Sequence, residues 1–226
     1  MNNDYNKWTN QFWNDIQNIA HFTTQPYSEY WVDYFSEIPN KEKVRVLDLG
    51  CGGGRNSKML YEMGFELRAC DLYSGMVRAT QNTLQKVGMS SLRASEVITQ
   101  QAMTRLAYPD AYFDIVLSHG VFHNALSFAD YKNALRECAR VLKRGGKLCF
   151  NIFYKRGQVD KTLKRINAKQ YYYLTKENLP TILLPKKDFL EVAKEAGLTI
   201  SGNIFEYSSN VTTGRREVLR GILTKV

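Results

Sequence analysis

Residues 44–55 read Val-Arg-Val-Leu-Asp-Leu-Gly-Cys-Gly-Gly-Gly-Arg, and this stretch decides the fold. Its first six residues form a short apolar run that predicts a buried strand, and the glycine cluster after it predicts a tight turn. A helical pattern then starts at Asn56 and runs to Met63, where Gly64 ends it. Strand, glycine turn and helix in this order are typical of the first unit of a parallel sheet.

Similar units follow along the chain. The patterns predict strands at 66–70, within 92–99, at 112–118 and at 147–153. Helices are predicted to start at Ser74 and at Ser127 or Asp130, which are good N-cap residues. Because strands alternate with helices of this length, we expect crossover connections and a parallel sheet that is covered on both faces.

The end of the chain has a different pattern. A helix is predicted at 186–196, and two extended segments at 199–207 and 216–224 are joined by a predicted turn at 210–214. Two consecutive strands with a short connection form an antiparallel hairpin. The predicted fold class is therefore α/β, a Rossmann-like three-layer sandwich with a seven-stranded, mostly parallel sheet and an antiparallel C-terminal hairpin strand.

Two segments stand apart from this alternation. Residues 1–43 carry ten aromatic side chains, and apolar residues recur there at helical spacing from Tyr5 to Ile19, with a second short helix near 28–35. Residues 155–187 hold nine Lys or Arg and two acidic residues, together with three consecutive tyrosines at 171–173. We interpret 1–43 as an aromatic N-terminal helical arm, 44–226 as the main domain, and 155–187 as a basic, Tyr-rich insertion after the fifth strand.

Composition excludes several classes of protein. The 226 residues are 44% hydrophobic and 12% aromatic, which is too apolar for a disordered chain. No apolar run approaches the roughly 20 residues of a membrane span, so a cytoplasmic protein without membrane contact is expected. The four cysteines lack the spacing of a zinc site, and we expect reduced thiols and no metal. The net charge of +9 is concentrated in residues 155–187.

The glycine turn could hold either of two cofactor classes. A dinucleotide turn of the form G-x-G-x-x-G, counted from Gly50, needs a glycine at 55, where this chain has Arg55. Asp48 at the strand end would repel a pyrophosphate and attract a cation. Asp71 lies at the end of the second strand, where a carboxylate can accept hydrogen bonds from ribose hydroxyls in either class. A cationic cofactor is therefore favoured.

Four segments carry a family resemblance. Residues 48–54 have the D/E-x-G-x-G-x-G form and closely resemble the first motif of class I S-adenosylmethionine-dependent methyltransferases. Residues 106–116 and 135–147 resemble the fourth- and fifth-strand signatures of the small-molecule branch, which includes quinone-biosynthesis enzymes. Residues 54–57 resemble the same turn of tellurite-resistance and thiopurine-type enzymes. In all, the resemblance covers about 44–150.

The resemblance implies an enzyme that moves a methyl group from S-adenosylmethionine to N, O or C of a small acceptor by in-line displacement, leaving S-adenosylhomocysteine. Relatives usually have an acidic residue after the third strand for the adenine amino group, whereas this chain has Gln101 or Ala102 there. The Gln101 amide oxygen offers an alternative acceptor. The expected cofactor-binding residues are Asp48, Gly50, Cys51, Gly52, Arg55, Asn56, Asp71, Leu72, Met76, Gln101, Ala102, Met103, Ser118 and His119.

Residues beyond the fourth and fifth strands are the candidates for catalysis. His119 directly follows a strand end, His123 lies in the next loop, and Tyr154 ends the fifth strand. A general base is needed only where the acceptor must lose a proton. Each residue also has a structural alternative, namely packing or a hydrogen bond in the core. The acceptor is expected to be a small molecule, aromatic or anionic, and not a nucleic acid.

Two other functions stay open at this point. An RNA methyltransferase would use the basic segment 155–187, although the chain lacks a recognisable RNA-binding module. A non-catalytic S-adenosylmethionine-binding protein would keep the first motif without turnover. The oligomeric state is not predicted.

Overall fold

A computed structural model describes residues 3–167, 171–211 and 214–226. Two short 3-10 helices lie at Lys41–Lys43 and Phe122–Asn124. The α-helices are α1 (Asn3–Asn14), α2 (Ile16–Thr24), α3 (Glu29–Ser36), α4 (Arg55–Glu62), α5 (Ser74–Gln85), α6 (Ser91–Val97), α7 (Phe128–Val141) and α8 (Lys186–Glu195). The strands are β1 (Arg45–Leu49), β2 (Glu66–Asp71), β3 (Ile98–Gln100), β4 (Phe113–His119), β5 (Leu142–Tyr154), β6 (Lys164–Asn167), β7 (Tyr172–Leu174), β8 (Pro180–Ile182), β9 (Leu198–Ile200), β10 (Phe205–Val211) and β11 (Gly214–Lys225).

The main sheet has the strand order β10-β11-β5-β4-β1-β2-β3, and the short β9 pairs with one end of β11. Strands β1 to β5 run parallel to their neighbours, whereas β11 is antiparallel to both β5 and β10. This arrangement confirms the predicted α/β fold with a seven-strand path, mostly parallel, and an antiparallel C-terminal hairpin. Since β1 lies centrally, its carboxyl end is where a ligand would be expected in such sheets.

Helices bury both faces of the sheet. On one face α7 packs its apolar stripe, in which Tyr131 and Leu135 are fully buried, against β4 and β5. On the other face α3, α4 and α5 supply Trp31, Leu60 and Leu84. These two clusters form the outer interfaces of a three-layer sandwich, and they fix the strand ends that carry the candidate site.

The strand predicted within 92–99 lies at the end of that range. Residues 91–97 form α6, and only Ile98–Gln100 are extended. The physical reason is the cap at Ser90, whose Oγ accepts a hydrogen bond from Arg93 N at 3.2 Å and so starts a helix. The strand pattern survives only where β3 pairs with the edge of β2.

Two other segments differ from the expected pattern. The apolar residues from Tyr5 to Ile19, which the spacing placed on one helix, lie on two helices, α1 and α2. The second helix starts because Asp15 caps it, accepting hydrogen bonds from Gln17 N and Asn18 N. The predicted 199–207 segment is interrupted between β9 and β10. The predicted turn at 210–214 includes residues 212–213, which lie outside the described residues.

The basic segment carries its own small sheet, in which β7 pairs antiparallel with both β6 and β8. Tyr172 of β7 meets Tyr5 of α1 edge-on, with ring centroids 6.3 Å apart. The segment therefore contacts the N-terminal helices. All four cysteines are buried and free. Within the described ranges, no helix combines the length and apolar character that crossing a membrane requires.

Candidate functional site

The glycine turn after β1 has one blocked side and one open side. Gly50 has φ +72°, and a Cβ there would lie 2.3 Å from Val121 Cγ2. Gly52 has φ +56°, and a Cβ there would meet no atom within 4 Å. Both Gly50 N and Cys51 N donate hydrogen bonds to Cys70 O, at 2.8 and 3.0 Å. The turn is thus fixed to β2, while its backbone at Gly52 borders free space that a ligand can approach.

Asp48 lies fully buried in β1, directly below this turn. Its Oδ2 accepts a hydrogen bond from Ser57 Oγ at 2.6 Å, whereas its Oδ1 has no partner among the described residues. Burial raises the pKa of this carboxyl to about 6, and the hydrogen bond from Ser57 and the charge of Arg55 oppose that rise. A buried carboxylate oxygen without a partner is costly, so it marks a place for a cationic or hydrogen-bonding ligand group.

Asp71 ends β2 and faces the same turn. Its Oδ2 accepts a hydrogen bond from Gly52 N and its Oδ1 accepts one from Tyr73 N, both at 3.0 Å. Burial raises the pKa of Asp71, and these backbone donors counteract the rise. Each carboxylate oxygen has further lone pairs that can accept from a diol. The next residue, Leu72, is 44% exposed and offers an apolar surface beside the carboxylate.

The segment after β3 holds Gln101 differently from the expectation. Its Oε1 accepts a hydrogen bond from Ala107 N at 2.8 Å, and its Nε2 donates one to Thr99 Oγ1 at 2.7 Å. A backbone N–H can only donate, so the amide oxygen must face Ala107. Ala102 pairs with Arg105 in an isolated bridge, and Met103 is half-buried. The Gln101 oxygen therefore already has a partner within its own loop.

Other predicted cofactor residues surround β1 and α4. Asn56 and Ser118 are buried, and their side-chain oxygens Oδ1 and Oγ have no hydrogen-bond partner in the described part of the chain. Cys51 and Met76 are buried, with Cys51 Sγ accepting a hydrogen bond from Thr80 Oγ1 at 3.3 Å. Arg55 Nη1 donates to Pro26 O at 3.2 Å. Together with Asp48 Oδ1, the Asn56 Oδ1 and Ser118 Oγ atoms make three buried oxygens around β1 and α4 without a partner among the described residues.

His119 ends β4 and is half-buried. Its Nδ1 accepts a hydrogen bond from Trp31 Nε1 at 3.1 Å. Burial, aided by the charges of Arg55 and Arg220, lowers the pKa of His119 to about 3. The imidazole is therefore neutral near pH 7, and because Nδ1 accepts, the ring proton lies on Nε2. In this state His119 offers a hydrogen-bond donor to a ligand.

His123 and Tyr154 are tied into the protein. His123 Nδ1 accepts from Phe153 N at 3.0 Å, and the ring stacks on that of Phe153 with centroids 4.1 Å apart. Burial lowers the pKa of His123 to about 3. Tyr154 OH donates to Glu206 Oε2 at 2.6 Å, and Glu206 also pairs with Lys186. Both residues hold the end of β5 in place.

The N-terminal helices cover the glycine turn. A Cβ on Gly53 would lie 2.4 Å from Thr23 N at the end of α2, so the turn and the helix are in close contact. Asn14 Oδ1, at the end of α1, accepts a hydrogen bond from Gly75 N at 2.9 Å. The arm therefore contacts both the glycine turn and the start of α5.

Sequence reasoning missed several residues of this site. Ser57, which holds Asp48, had a signal, since it is the last residue of the 54–57 segment that carried a family resemblance. Trp31, which fixes the tautomer of His119, had none, because 88 residues separate the two. Asn14 likewise meets Gly75 across 61 residues. Such pairs are set by the packing of α1 and α3 and not by local spacing.

Comparison with known proteins gives a consistent result. Residues 47–150 match the model of a family described as a methyltransferase domain. An uncharacterized methyltransferase of Bacillus subtilis is 32% identical over 103 residues, which are 46% of this chain and 38% of that protein. A ubiquinone biosynthesis O-methyltransferase of Xanthomonas oryzae is 31% identical over 117 residues, covering 52% of this chain and 46% of that protein. The chain thus spans less than half the length of both relatives.

Solved structures share the fold. A methyltransferase of Methanosarcina mazei, described as S-adenosylmethionine-dependent, superposes with a TM-score of 0.68 at 16% identity, over 89% of this chain and 99% of that one. The 1,6-didemethyltoxoflavin-N1-methyltransferase of Burkholderia thailandensis, solved with 1,6-didemethyltoxoflavin and S-adenosylhomocysteine bound, gives 0.61 at 17% identity, over 99% and 84%. At such identity the likeness concerns the fold. Residues 47–150 therefore match a methyltransferase-domain family, and the chain shares the fold of the S-adenosylmethionine-dependent methyltransferase on which it superposes.

Proposed function

We propose that this protein transfers a methyl group from S-adenosylmethionine to N, O or C of a small-molecule acceptor. The observation that carries the proposal is Asp48, a fully buried carboxylate whose Oδ1 has no partner, below the open face of Gly52. A cationic ligand compensates such a carboxylate, whereas a pyrophosphate would be repelled. S-adenosylmethionine carries both a sulfonium and an ammonium group, so it fits this charge.

The cofactor-binding residues divide by chemistry. Asp48, with Asn56 and Ser118, would take the charged amino-acid end, because these three have unsatisfied oxygens. Asp71 would accept the ribose hydroxyls, and Leu72 would pack on the adenine. Gln101, whose oxygen accepts from Ala107 N, would act by positioning the loop that carries Ala102 and Met103. When bound, S-adenosylmethionine supplies an electrophilic methyl group on its sulfur.

In-line displacement requires that the acceptor atom, the methyl carbon and the sulfur lie on one line and that water is excluded. The residues of this chain would provide both conditions. We propose that His119 donates a hydrogen bond from Nε2 to the acceptor. It does not act as a base, because its Nδ1 already accepts a hydrogen bond from Trp31. We propose that His123 and Tyr154 position the end of β5, since their polar atoms already have protein partners. Trp31, which is fully buried, covers the Nδ1 side of His119, and this enclosure favours a small acceptor over a nucleic acid.

We extend the proposal to the domain organisation and to location. Residues 1–43 would serve as an arm over the cofactor cleft, and 155–187 as an insertion of the 44–226 domain. Four buried cysteines without disulfides support a reducing compartment, hence the cytoplasm.

Thermal unfolding with S-adenosylhomocysteine tests the proposed function. Binding to the native state alone adds about 2.7 kcal/mol at a hundredfold excess over Kd, so the melting temperature should rise. NAD should produce no rise, and Asp48→Asn should reduce the rise with S-adenosylhomocysteine. A rise with NAD and none with S-adenosylhomocysteine would overturn the assignment.

A further inference from the structure

A row of paired residues crosses the sheet from the glycine turn to the antiparallel edge. His119 pairs with Asn151, Asn151 pairs with Arg220, and Arg220 pairs with Phe205. Register partners lie about 4.8 Å apart and point to the same face of a sheet. Since Leu49 pairs with Ser118, the residue after Leu49 in the glycine turn adjoins His119. The row therefore begins beside the proposed cofactor site.

Helix α3 lies over this row. Trp31 Nε1 contacts His119 at one end, and the Tyr30 ring covers Arg220 further along. The Arg220 guanidinium carbon lies 4.0 Å from the Tyr30 ring centroid and 4.9 Å from that of Tyr207. The rings hold the guanidinium in one plane, and an aromatic ligand that binds its N–H groups would lie beside apolar ring surface such as that of Phe205, whose centroid is 5.9 Å from the guanidinium carbon.

The row offers a ligand two N–H donors, from Arg220 and His119, beside the amide of Asn151, whose Nδ2 donates to Tyr207 OH at 3.0 Å. Arg220 Nε is buried without a partner, and its Nη1 makes a hydrogen bond of 3.3 Å to Ser28 Oγ. None of the ion pairs in the described ranges includes Arg220. His119 adds a second donor, the Nε2–H of its neutral ring. The positive charge of Arg55 helps to keep that ring neutral, because it lowers the pKa of His119. Arg220, a cationic donor without a carboxylate partner among the described residues, favours an anion here.

We propose that this row is the acceptor subsite, that it takes an aromatic ring bearing a carboxylate, enolate or phenolate, and that Arg220 determines this specificity. The proposal rests on the proposed function, because the row is an acceptor subsite only if the cofactor lies at Gly52. A guanidinium binds a carboxylate through two parallel hydrogen bonds, which also aligns the plane of the acceptor ring.

Calorimetry on the protein saturated with S-adenosylhomocysteine tests the subsite. The probes are 2-naphthoate and its neutral amide, 2-naphthamide. The native protein should bind the anion at least about tenfold more tightly than the amide, as a charged hydrogen bond implies. Arg220→Met should abolish this preference while the Kd for S-adenosylhomocysteine stays within about twofold. The matched control is Arg215→Met, an exposed arginine of the same strand that pairs with Glu217, and it should leave the preference intact.

Three results would distinguish the alternatives. An equal affinity of the native protein for both probes would overturn the subsite. If Arg220→Met weakened S-adenosylhomocysteine about tenfold and left the preference unchanged, the anion would be the cofactor carboxylate and the proposal would be wrong. A native protein that bound no S-adenosylhomocysteine would contradict the proposed function instead.

A second variant guards against misfolding of Arg220→Met. Arg220→Lys keeps the charge between the rings and loses the forked donor pair, so it should fold and retain only part of the preference. A full preference in Arg220→Lys would contradict the role of the planar guanidinium.

Discussion

The indole Nε1 of Trp31 donates a hydrogen bond to His119 Nδ1 at 3.1 Å, across 88 residues of chain. This contact joins the helical arm to the end of the fourth strand. Because Nδ1 accepts, the imidazole proton lies on Nε2, and the same contact stabilises the neutral ring. A candidate base is thereby arranged as a donor toward the proposed acceptor.

Trp31→Phe should raise the pKa of His119 above about 3, because the donor that favours the neutral ring is removed, while burial and the charges of Arg55 and Arg220 still hold it below 6.5. Histidine NMR titration measures this directly, since the chain has three histidines. Trp13→Phe is the control, because Trp13 lies on α1 and its ring contacts those of Phe12, Phe22 and Tyr73. An unchanged titration of His119 in Trp31→Phe would show that the indole does not set its protonation.

The stability of the protein should depend on pH through His123. Burial lowers the pKa of His123 to about 3 in the folded state, whereas the unfolded value is 6.5. As pH falls, the unfolded chain binds this proton first, so the stabilisation is complete above pH 6.5 and is lost progressively toward pH 3. The loss between pH 7 and pH 5 is about 2 kcal/mol for one such histidine.

Urea unfolding of the native protein and of His123→Gln at both pH values isolates this effect. The variant starts from lower stability, because Phe153 N loses its acceptor, and it should lose about 2 kcal/mol less on acidification. Asp48 acts in the opposite direction, since its raised pKa of about 6 makes the folded state bind a proton first. That contribution is common to both proteins and cancels in the comparison. Parallel losses in the two proteins would contradict the depressed pKa of His123.

The part of the site that was predictable from sequence is the part built from adjacent residues. β1, the glycine turn and Asp71 follow from local pattern, since backbone torsions and strand ends are set within a few residues. The opposite side of the cleft has no such signal. Trp31, Ser28 and Arg220 come together only in the folded chain, and Ser28 contacts Arg220 across 192 residues. The catalytic roles expected of His119, His123 and Tyr154 stay predictions, because no contact in the structure tests them.

Gly52→Ala should weaken S-adenosylhomocysteine at least about tenfold, because its Cβ would enter the open space where we propose that the cofactor approaches the backbone. Gly88→Ala is the matched control. Gly88 also has a positive φ, +98°, and open space at the Cβ position. Both variants should lose about 1 kcal/mol of stability from backbone strain. Equal affinity in the two variants would place the ligand elsewhere.

The central claim is that the carboxylate of Asp48 meets a cationic group of the cofactor, and calorimetry of S-adenosylhomocysteine at pH 8 and pH 5 tests it most directly. With a pKa of about 6 in the free protein, Asp48 must lose a proton to bind the ammonium at pH 5. We predict that the Kd is about tenfold weaker at pH 5 than at pH 8 in the native protein. Asp48→Asn should bind more weakly at pH 8 and show little change between the two values. No binding by the native protein, or the same pH dependence in both proteins, would contradict the account.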